Sequence, residues 1–151
     1  MITSLETLTW SDDFKTGIDI IDEQHQRLFE YFAEIQSAIA EEDEGKVEAV
    51  CRGLIDYAVS HNTFEETLMQ SADYPHFEAH QAVHHAFRER AYGYLERLEQ
   101  EENRMKVART IRTEIGLWLI NHIKREDQHY VPYVKRSLDR GFVARMLKRF
   151  F

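Results

Sequence analysis

A chain of 151 residues, 43% hydrophobic and 30% charged, is long enough to bury a substantial core as one domain, so no metal or cross-link is needed merely to hold it together. Six glycines and two prolines are too few turn formers for a sandwich or barrel, and one cysteine, Cys51, leaves no partner for an internal disulfide. The net charge is −8, but residues 135–151 hold six basic residues against Asp139 alone, a net +5 that leaves −13 for residues 1–134; so acidic a body argues against nucleic acid as a partner.

Along the chain, residues 1–17 read as an amino-terminal arm, with no basic run followed by an apolar core. No stretch of about 18 apolar residues occurs anywhere, and the expected compartment is the cytoplasm, where Cys51 would be a buried, idle thiol. From Ile18 a three-four alternation begins: Ile18, Ile21, His25, Leu28, Phe32, Ile35 and Ile39 mark one buried helical stripe. A second stripe runs Val47, Val50, Leu54, Tyr57, His61, Phe64 and Leu68, and a third Phe77, His80, His84, Phe87, Ala91, Tyr94 and Leu98. The fourth comprises Ala108, Ile111, Ile115, Trp118 or Leu119, and His122, after which Pro132 should end or kink the helix. Short polar breaks at Glu41 to Gly45, Ser71 to Pro75 and Glu99 to Asn103 suit antiparallel neighbours. The expected fold is therefore all-α: one domain, with an up-down-up-down four-helix bundle over residues 18–138 and a basic amphipathic tail over 139–151.

Histidines recur inside these stripes. A lone core histidine is more often a hydrogen-bonded packing residue than a ligand, yet His61 with Glu65 and His80 with His84 are spaced to present two donors from one helix face. The register strengthens the case. His25 and His61 are each 18 residues from Asp43 in the first break, and His84 and His122 each 19 from Asn103 in the third. The pairs His61 with His84 and Glu65 with His80 are both centred between Ala72 and Asp73 in the second. All four helices thus deliver donors to one slice of the core.

Asp127 lies five positions after His122, about 140° away on a regular helix, so a local bulge or an early helix end is needed to swing it inward. Seven donors are too many for one metal with an open position but suit two metals bridged by Glu65 and Asp127. Two ferrous ions, two carboxylates and a bridging hydroxide leave about +1 in the core. Imidazole and carboxylate without thiolate fit iron, although zinc, copper and nickel also accept imidazole. His76, His85 and His129 fall off the level or face away, and Glu66 reads as a supporting or surface carboxylate.

Together these residues resemble the hemerythrins, and among them the bacteriohemerythrins. The resemblance spans about Leu8 to Tyr133 through Trp10, Asp22 to His25, His61-Asn-Thr-Phe-Glu65-Glu66, His80-Gln-Ala-Val-His84, Trp118-Leu-Ile-Asn-His122 and Asp127. It implies one iron bound by His80, His84 and His122, a second by His25 and His61, and oxo- or hydroxo-bridged irons spanned by Glu65 and Asp127. The second iron would keep an open position for reversible binding of dioxygen, with Leu119 as an apolar wall over it and Trp118 lining an access path. Both are equally explained by core packing.

The implied activity is binding for storage or for delivery to oxygen-requiring enzymes, not catalysis. Ferritin-like oxidases are richer in carboxylates, whereas a histidine-rich set is less suited to cleaving the O–O bond. The alternatives are a sensing module reporting through the tail, or a di-iron enzyme acting on peroxide or nitric oxide, for which Tyr57 or Tyr94 could supply a proton. The tail, with Phe142, Val143, Met146, Leu147 and Phe150 on one side, could dock on a protein partner or membrane surface, or fold back on the acidic bundle.

Overall fold

The computed structural model describes residues 9–100, 103–138 and 140–151. Met1 to Leu8 of the expected arm, Glu101 and Glu102 of the third break, and Asp139 at the start of the expected tail lie outside the described residues, as do the side chains of Arg140 and Phe142.

Among the described residues every regular element is helical: α1 (Asp19–Ala40), α2 (Glu44–Ser71), α3 (Phe77–Glu99), α4 (Arg104–Asn121), α5 (Asp127–Ser137) and α6 (Arg140–Phe150), with a 3-10 turn at Asp12–Phe14. The first four make the antiparallel bundle, α1 and α3 each packing on both α2 and α4. Breaks between them fall where the polar residues cluster, but α2 begins one residue before Gly45, because Asp43 caps it by accepting from the Lys46 amide at 3.0 Å. Asn103 caps α4 in the same way at 3.2 Å. Glu42 and Asp73 reverse the chain in the left-handed region, at φ of 55° and 53°.

The arm is tied to the bundle by a buried carboxylate. Asp22, in the first turn of α1, accepts from the Thr16 amide at 2.8 Å, the Thr16 hydroxyl at 2.9 Å and the Gly17 amide at 3.1 Å. Gly17 itself turns at φ 83°, a conformation that strains any side chain bearing a Cβ.

Two apolar clusters fill the interior. One gathers Leu28, Phe32, Leu54, Phe87, Ile111 and Leu119, among others, between the halves of the helices nearer the first and third turns. Its counterpart holds Ile18, Ile21, Phe64, Leu68, Tyr130 and Val134 at the opposite end. The core histidines lie between the two, so the polar layer separates two greasy halves of one bundle.

At its carboxyl end the fourth expected helix departs from regularity. Residues His122–Glu126 form a π-helical turn, closed by the Asp127 amide donating to the His122 carbonyl. Of the two distortions that the His122–Asp127 spacing called for, a bulge or an early helix end, this is the bulge. Pro132, expected to end or kink the helix, does not end it: α5 runs through that residue to Ser137. The N–H that proline lacks would have met the carbonyl of Gln128, a partly buried residue, and Pro132 itself is exposed.

The tail forms α6 and folds back. Met146 is buried in the second cluster, Leu147 and Phe150 pack against it, and the Phe151 ring lies 5.4 Å from Tyr57 and 5.9 Å from Phe64. No helix among the described residues is long and apolar enough to cross a membrane. Met146→Ala, which removes most of that anchor, is expected to lower the unfolding free energy by about 2 kcal/mol or more in urea titration, whereas Lys148→Ala on the exposed face should change it by less than about 0.5 kcal/mol. Cys51 is fully buried, and burial pushes its thiol up to about 12. Its alkylation at pH 8 is therefore expected to proceed only at the rate of unfolding, which a comparison of labelling in buffer and in urea checks.

Candidate metal centre

Each helix contributes to the polar layer from a position its own periodicity points inward. His25 comes from α1, His61 and Glu65 from α2, His80 and His84 from α3, His122 from the end of α4 and Asp127 from the start of α5, beyond the π turn. All seven side chains are 5% exposed or less. They form two overlapping sets of converging donor atoms, Glu65, His80, His84, His122 and Asp127 in one and His25, His61, Glu65 and Asp127 in the other, with donor atoms within 4.8 Å of one another in each. Glu65 and Asp127 belong to both.

The π turn is what brings Asp127 in. One extra residue per turn nearly aligns positions five apart, and Asp127 Oδ1 then lies 3.0 Å from His122 Nε2 and 3.2 Å from His80 Nε2, while Oδ2 lies 3.2 Å from His25 Nε2. Glu65 sits centrally in the same way, Oε2 at 3.3 Å from His61 Nε2 and Oε1 at 3.4 Å from His84 Nε2.

Close approach does not make these hydrogen bonds. His25 Nε2, His80 Nε2, Glu65 Oε1 and both oxygens of Asp127 are buried without a hydrogen-bond partner. Each unsatisfied buried polar atom costs about 1–3 kcal/mol, so leaving several in one place is costly unless a cation is shared among them. His84 Nε2 and His122 Nε2 face each other at 2.9 Å, an arrangement that needs either a proton or a metal between two lone pairs. The residues present therefore fit a metal centre of imidazole and carboxylate donors.

Two of the outward ring nitrogens are held by neighbours, whereas Nδ1 of His25 and of His122 meets no hydrogen-bond partner among the described residues. His61 donates Nδ1–H to Gln24 Oε1 at 2.6 Å, and His84 donates Nδ1–H to Glu66 Oε2 at 2.9 Å, which leaves each Nε2 lone pair facing the layer. Glu66 is in turn held by Arg88 at 2.8 Å and by the Gln81 amide at 3.3 Å. Tyr130, fully buried, donates its hydroxyl to Glu65 Oε2 at 2.6 Å. Trp118 stacks on His122, ring centroids 4.3 Å apart and planes 15° from parallel, with Phe87 on its other face.

Electrostatics follow from burial against pairing. Burial opposes charge on Glu65, yet His61, His25 and His84 outweigh it and hold the carboxyl well below its usual range. Asp127 is likewise driven down: burial and Glu65 work against its charge, and His122 and His25 prevail. The positive counterpart is His25, where burial is outweighed by Asp127 and Glu65 and the ring is pushed up to about 9. His84 shifts upward too, burial notwithstanding, through Glu65 and Glu66, whereas burial dominates at His61 and lowers it. Tyr130 is raised well above its usual value by burial and by the two carboxylates, so it remains a hydrogen-bond donor.

His76, His85 and His129 are exposed and join neither set, as their register implied. Glu66 is the supporting carboxylate rather than a surface one. Tyr57 packs beside Tyr31 and Phe151, and Tyr94 donates to Glu114, so neither tyrosine belongs to the layer. The buried tyrosine that does, Tyr130, went unnoticed in the sequence, although it stands three residues after Asp127 and hence on the same helix face. Gln24 was also missed as the partner of His61; its position one residue before His25 puts it at the same level.

A small enclosed cavity reaches the layer between the helices, lined by Leu28, Phe32, Phe87, Trp118 and Leu119 beside His61, His122 and Asp127. Its free volume is about 10 Å³, room for one water-sized molecule.

A four-helix bundle that buries five imidazoles and two shared carboxylates around an apolar cavity defines a metal-binding bundle protein. The profile of the Hemerythrin HHE cation binding domain matches residues 16–134. A protein named bacteriohemerythrin from Stenotrophomonas maltophilia is 38% identical over 95% of this chain and 97% of its own, and one from Pseudomonas aeruginosa is 35% identical over the same shares. A crystal structure of wild-type hemerythrin superposes with a TM-score of 0.75 at 28% identity, covering 85% of this chain and 98% of that one. The chain belongs to the hemerythrin family, known for binding dioxygen at a non-haem di-iron site.

In the metal-free protein, protonated His25 offsets the two carboxylates. A folded value of about 9 against the ordinary 6.5 means that its contribution is fully present below pH 6.5 and is lost as pH rises through 9. The depressed carboxyls act oppositely: their contribution is present above the usual carboxylate range and is lost in acid. Metal-free stability is thus expected to peak near neutrality and to fall by up to about 3 kcal/mol between pH 6.5 and pH 10, measured by urea denaturation across pH in the presence of a chelator.

Proposed function

We propose that this chain holds two iron ions and binds dioxygen reversibly, for storage or for delivery to oxygen-requiring enzymes. The observation that carries the reading is the pair of donor sets sharing Glu65 and Asp127. In this reading Glu65 and Asp127 would be shared by the two ions, with His80, His84 and His122 holding one and His25 and His61 the other. Three imidazoles against two leaves the second ion the poorer in ligands, and the cavity meets the layer at His61 and the shared Asp127 as well as at His122.

When bound, the iron pair supplies the electrons that dioxygen takes up and returns on release. The chain's own residues supply the setting. Leu28, Phe32, Phe87 and Leu119 exclude bulk water from the cavity, so protons that would promote irreversible loss of reduced oxygen are scarce there. Tyr130 keeps its proton and holds Glu65 Oε2, while Gln24 and Glu66 keep the His61 and His84 lone pairs pointed inward. Five imidazoles with only two carboxylates provide little negative charge to stabilise highly oxidised iron, which favours binding over oxidation catalysis. At neutral pH the loading of metal must displace the proton on His25, so binding is expected to release protons.

A second reading, oxygen sensing, gains support from one contact. The cluster on which α6 packs contains Tyr130 and Phe64, immediate neighbours of the layer, so a shift there would reach the tail. Dioxygen-dependent hydrogen exchange in α6 would favour that reading, and unchanged exchange would leave storage or delivery.

The deciding experiment loads the reduced protein with iron under anaerobic conditions and follows its absorption through cycles of air and vacuum. About two irons per chain and a visible spectrum that appears with air and vanishes without it are expected; rapid irreversible oxidation would overturn the reading in favour of an enzyme. Glu66→Gln, which takes the charged acceptor from His84, is expected to weaken iron binding about 10- to 100-fold in competition with a chelator.

A further inference from the structure

Among the described residues lining the cavity, the one carboxamide is Asn62. It is 2% exposed, follows His61 directly on α2, and its Nδ2 is buried with no hydrogen-bond partner. An amide N–H left unpaired in an apolar core costs about 1–3 kcal/mol, and a position that needed only volume would be served better by leucine. The other unpaired amide near the layer, Gln24 Nε2, has a plain explanation, because Gln24 Oε1 is committed to His61 and the side chain does not line the cavity. Asn62 has no such commitment. Among the described residues its N–H meets no acceptor, and because Asn62 lines the cavity an occupant there is placed to supply one.

We propose that Asn62 is a ligand-contact residue: its Nδ2 donates a hydrogen bond to the outer atom of a small ligand held beside His61, selecting ligands that carry or gain negative charge there. The proposal rests on the two-iron reading above. A hydrogen bond to a charged acceptor is roughly twice as strong as one between neutral groups, and in a water-excluded cavity nothing competes for it. Neutral apolar molecules of the same size would gain nothing from Asn62 and would still have to face its unpaired N–H. The residue would thereby sharpen the preference for dioxygen, which gains charge on binding, and for small anions. It would add nothing for molecules that enter the cavity and stay neutral.

The test uses the full chain loaded with iron and oxidised, titrated with sodium azide and followed by absorption, with iron content and far-ultraviolet circular dichroism recorded for each variant. Asn62→Leu is expected to keep the wild-type iron content and helicity but to bind azide about 10- to 100-fold more weakly. The infrared stretch of bound azide should shift on exchange into deuterated water in the wild type and lose that shift in the variant. Should Asn62→Leu not fold, Asn62→Ser and Asn62→Ala differ by little more than one hydroxyl, and tighter azide binding by the serine variant reads the same donor. Unchanged or tighter azide binding in Asn62→Leu, or equal binding by the serine and alanine variants, overturns the role of Asn62 while leaving the two-iron reading intact. A wild-type chain that retains no iron overturns both.

Discussion

Two carboxylates with no solvent contact, set among five buried imidazoles, are the constraint on which the rest of this structure depends. An uncompensated buried charge costs several kcal/mol, while a domain of this size is stable by only about 5–15 kcal/mol in all. Glu65 and Asp127 therefore cannot be passengers. Something positive must stand between them, a proton on His25 in the metal-free chain or metal ions in the loaded one. The geometry decides between the two. Protons would satisfy the layer best if the rings and carboxylates made good hydrogen bonds, yet at 3.0 to 3.5 Å most of these pairs are poorly aligned and five of the inward atoms have no partner. That is the geometry of atoms arranged around something larger than a proton.

The same constraint explains why the bundle is irregular in one place and regular elsewhere. Three of the four helices can present their donors at ordinary helical spacing. The fourth must deliver His122 and Asp127, five residues apart, to one cluster of donors, and a regular helix would send the aspartate outward. A π-helical turn is a rare conformation with poorer backbone geometry, so its presence between two buried donors is explained by what it positions rather than by local propensity. Once Asp127 points inward, the helix restarts and brings Tyr130 to the same face, where its hydroxyl occupies a lone pair of Glu65.

This division also accounts for what could be read from the sequence. Periodicity is a property of single helices, so the stripes through His25, His61, His84 and His122 were visible, as was their common level, which needs only turn positions and chain direction. The inward Asp127 was legible as a demand for a bulge or an early helix end, though not as a π turn in particular, and Pro132 does not end the helix because a single lost hydrogen bond at an exposed residue is tolerable. Cross-helix partnerships were the hard part. Whether Gln24 meets His61, or Glu66 meets His84 and Arg88, depends on rotamers and on helix rotation of a few tens of degrees, and neither leaves a signature in spacing. The unpaired amide of Asn62 is less legible still, since an unmade hydrogen bond becomes visible only when every neighbour is known.

The tail shows how an apparent choice can dissolve once packing is known. From its pattern, an amphipathic basic segment could either dock elsewhere or cover its own bundle. In the structure Met146, Leu147 and Phe150 turn inward on the second apolar cluster, so Arg145, Lys148 and Arg149 remain exposed, together with Lys135 and Arg136 at the end of α5. Docking through the apolar face would require stripping α6 from the bundle and uncovering that cluster, at a cost of several kcal/mol. Contact through the basic face requires no rearrangement, because the charges already stand outside an otherwise acidic protein. A partner that reads the tail electrostatically would leave the packing around Tyr130 and Glu65 untouched, whereas one that pulls α6 away would disturb the layer itself. Covering the bundle and meeting a partner are therefore compatible, and the strength of the apolar anchor decides whether such a meeting is felt at the metal centre.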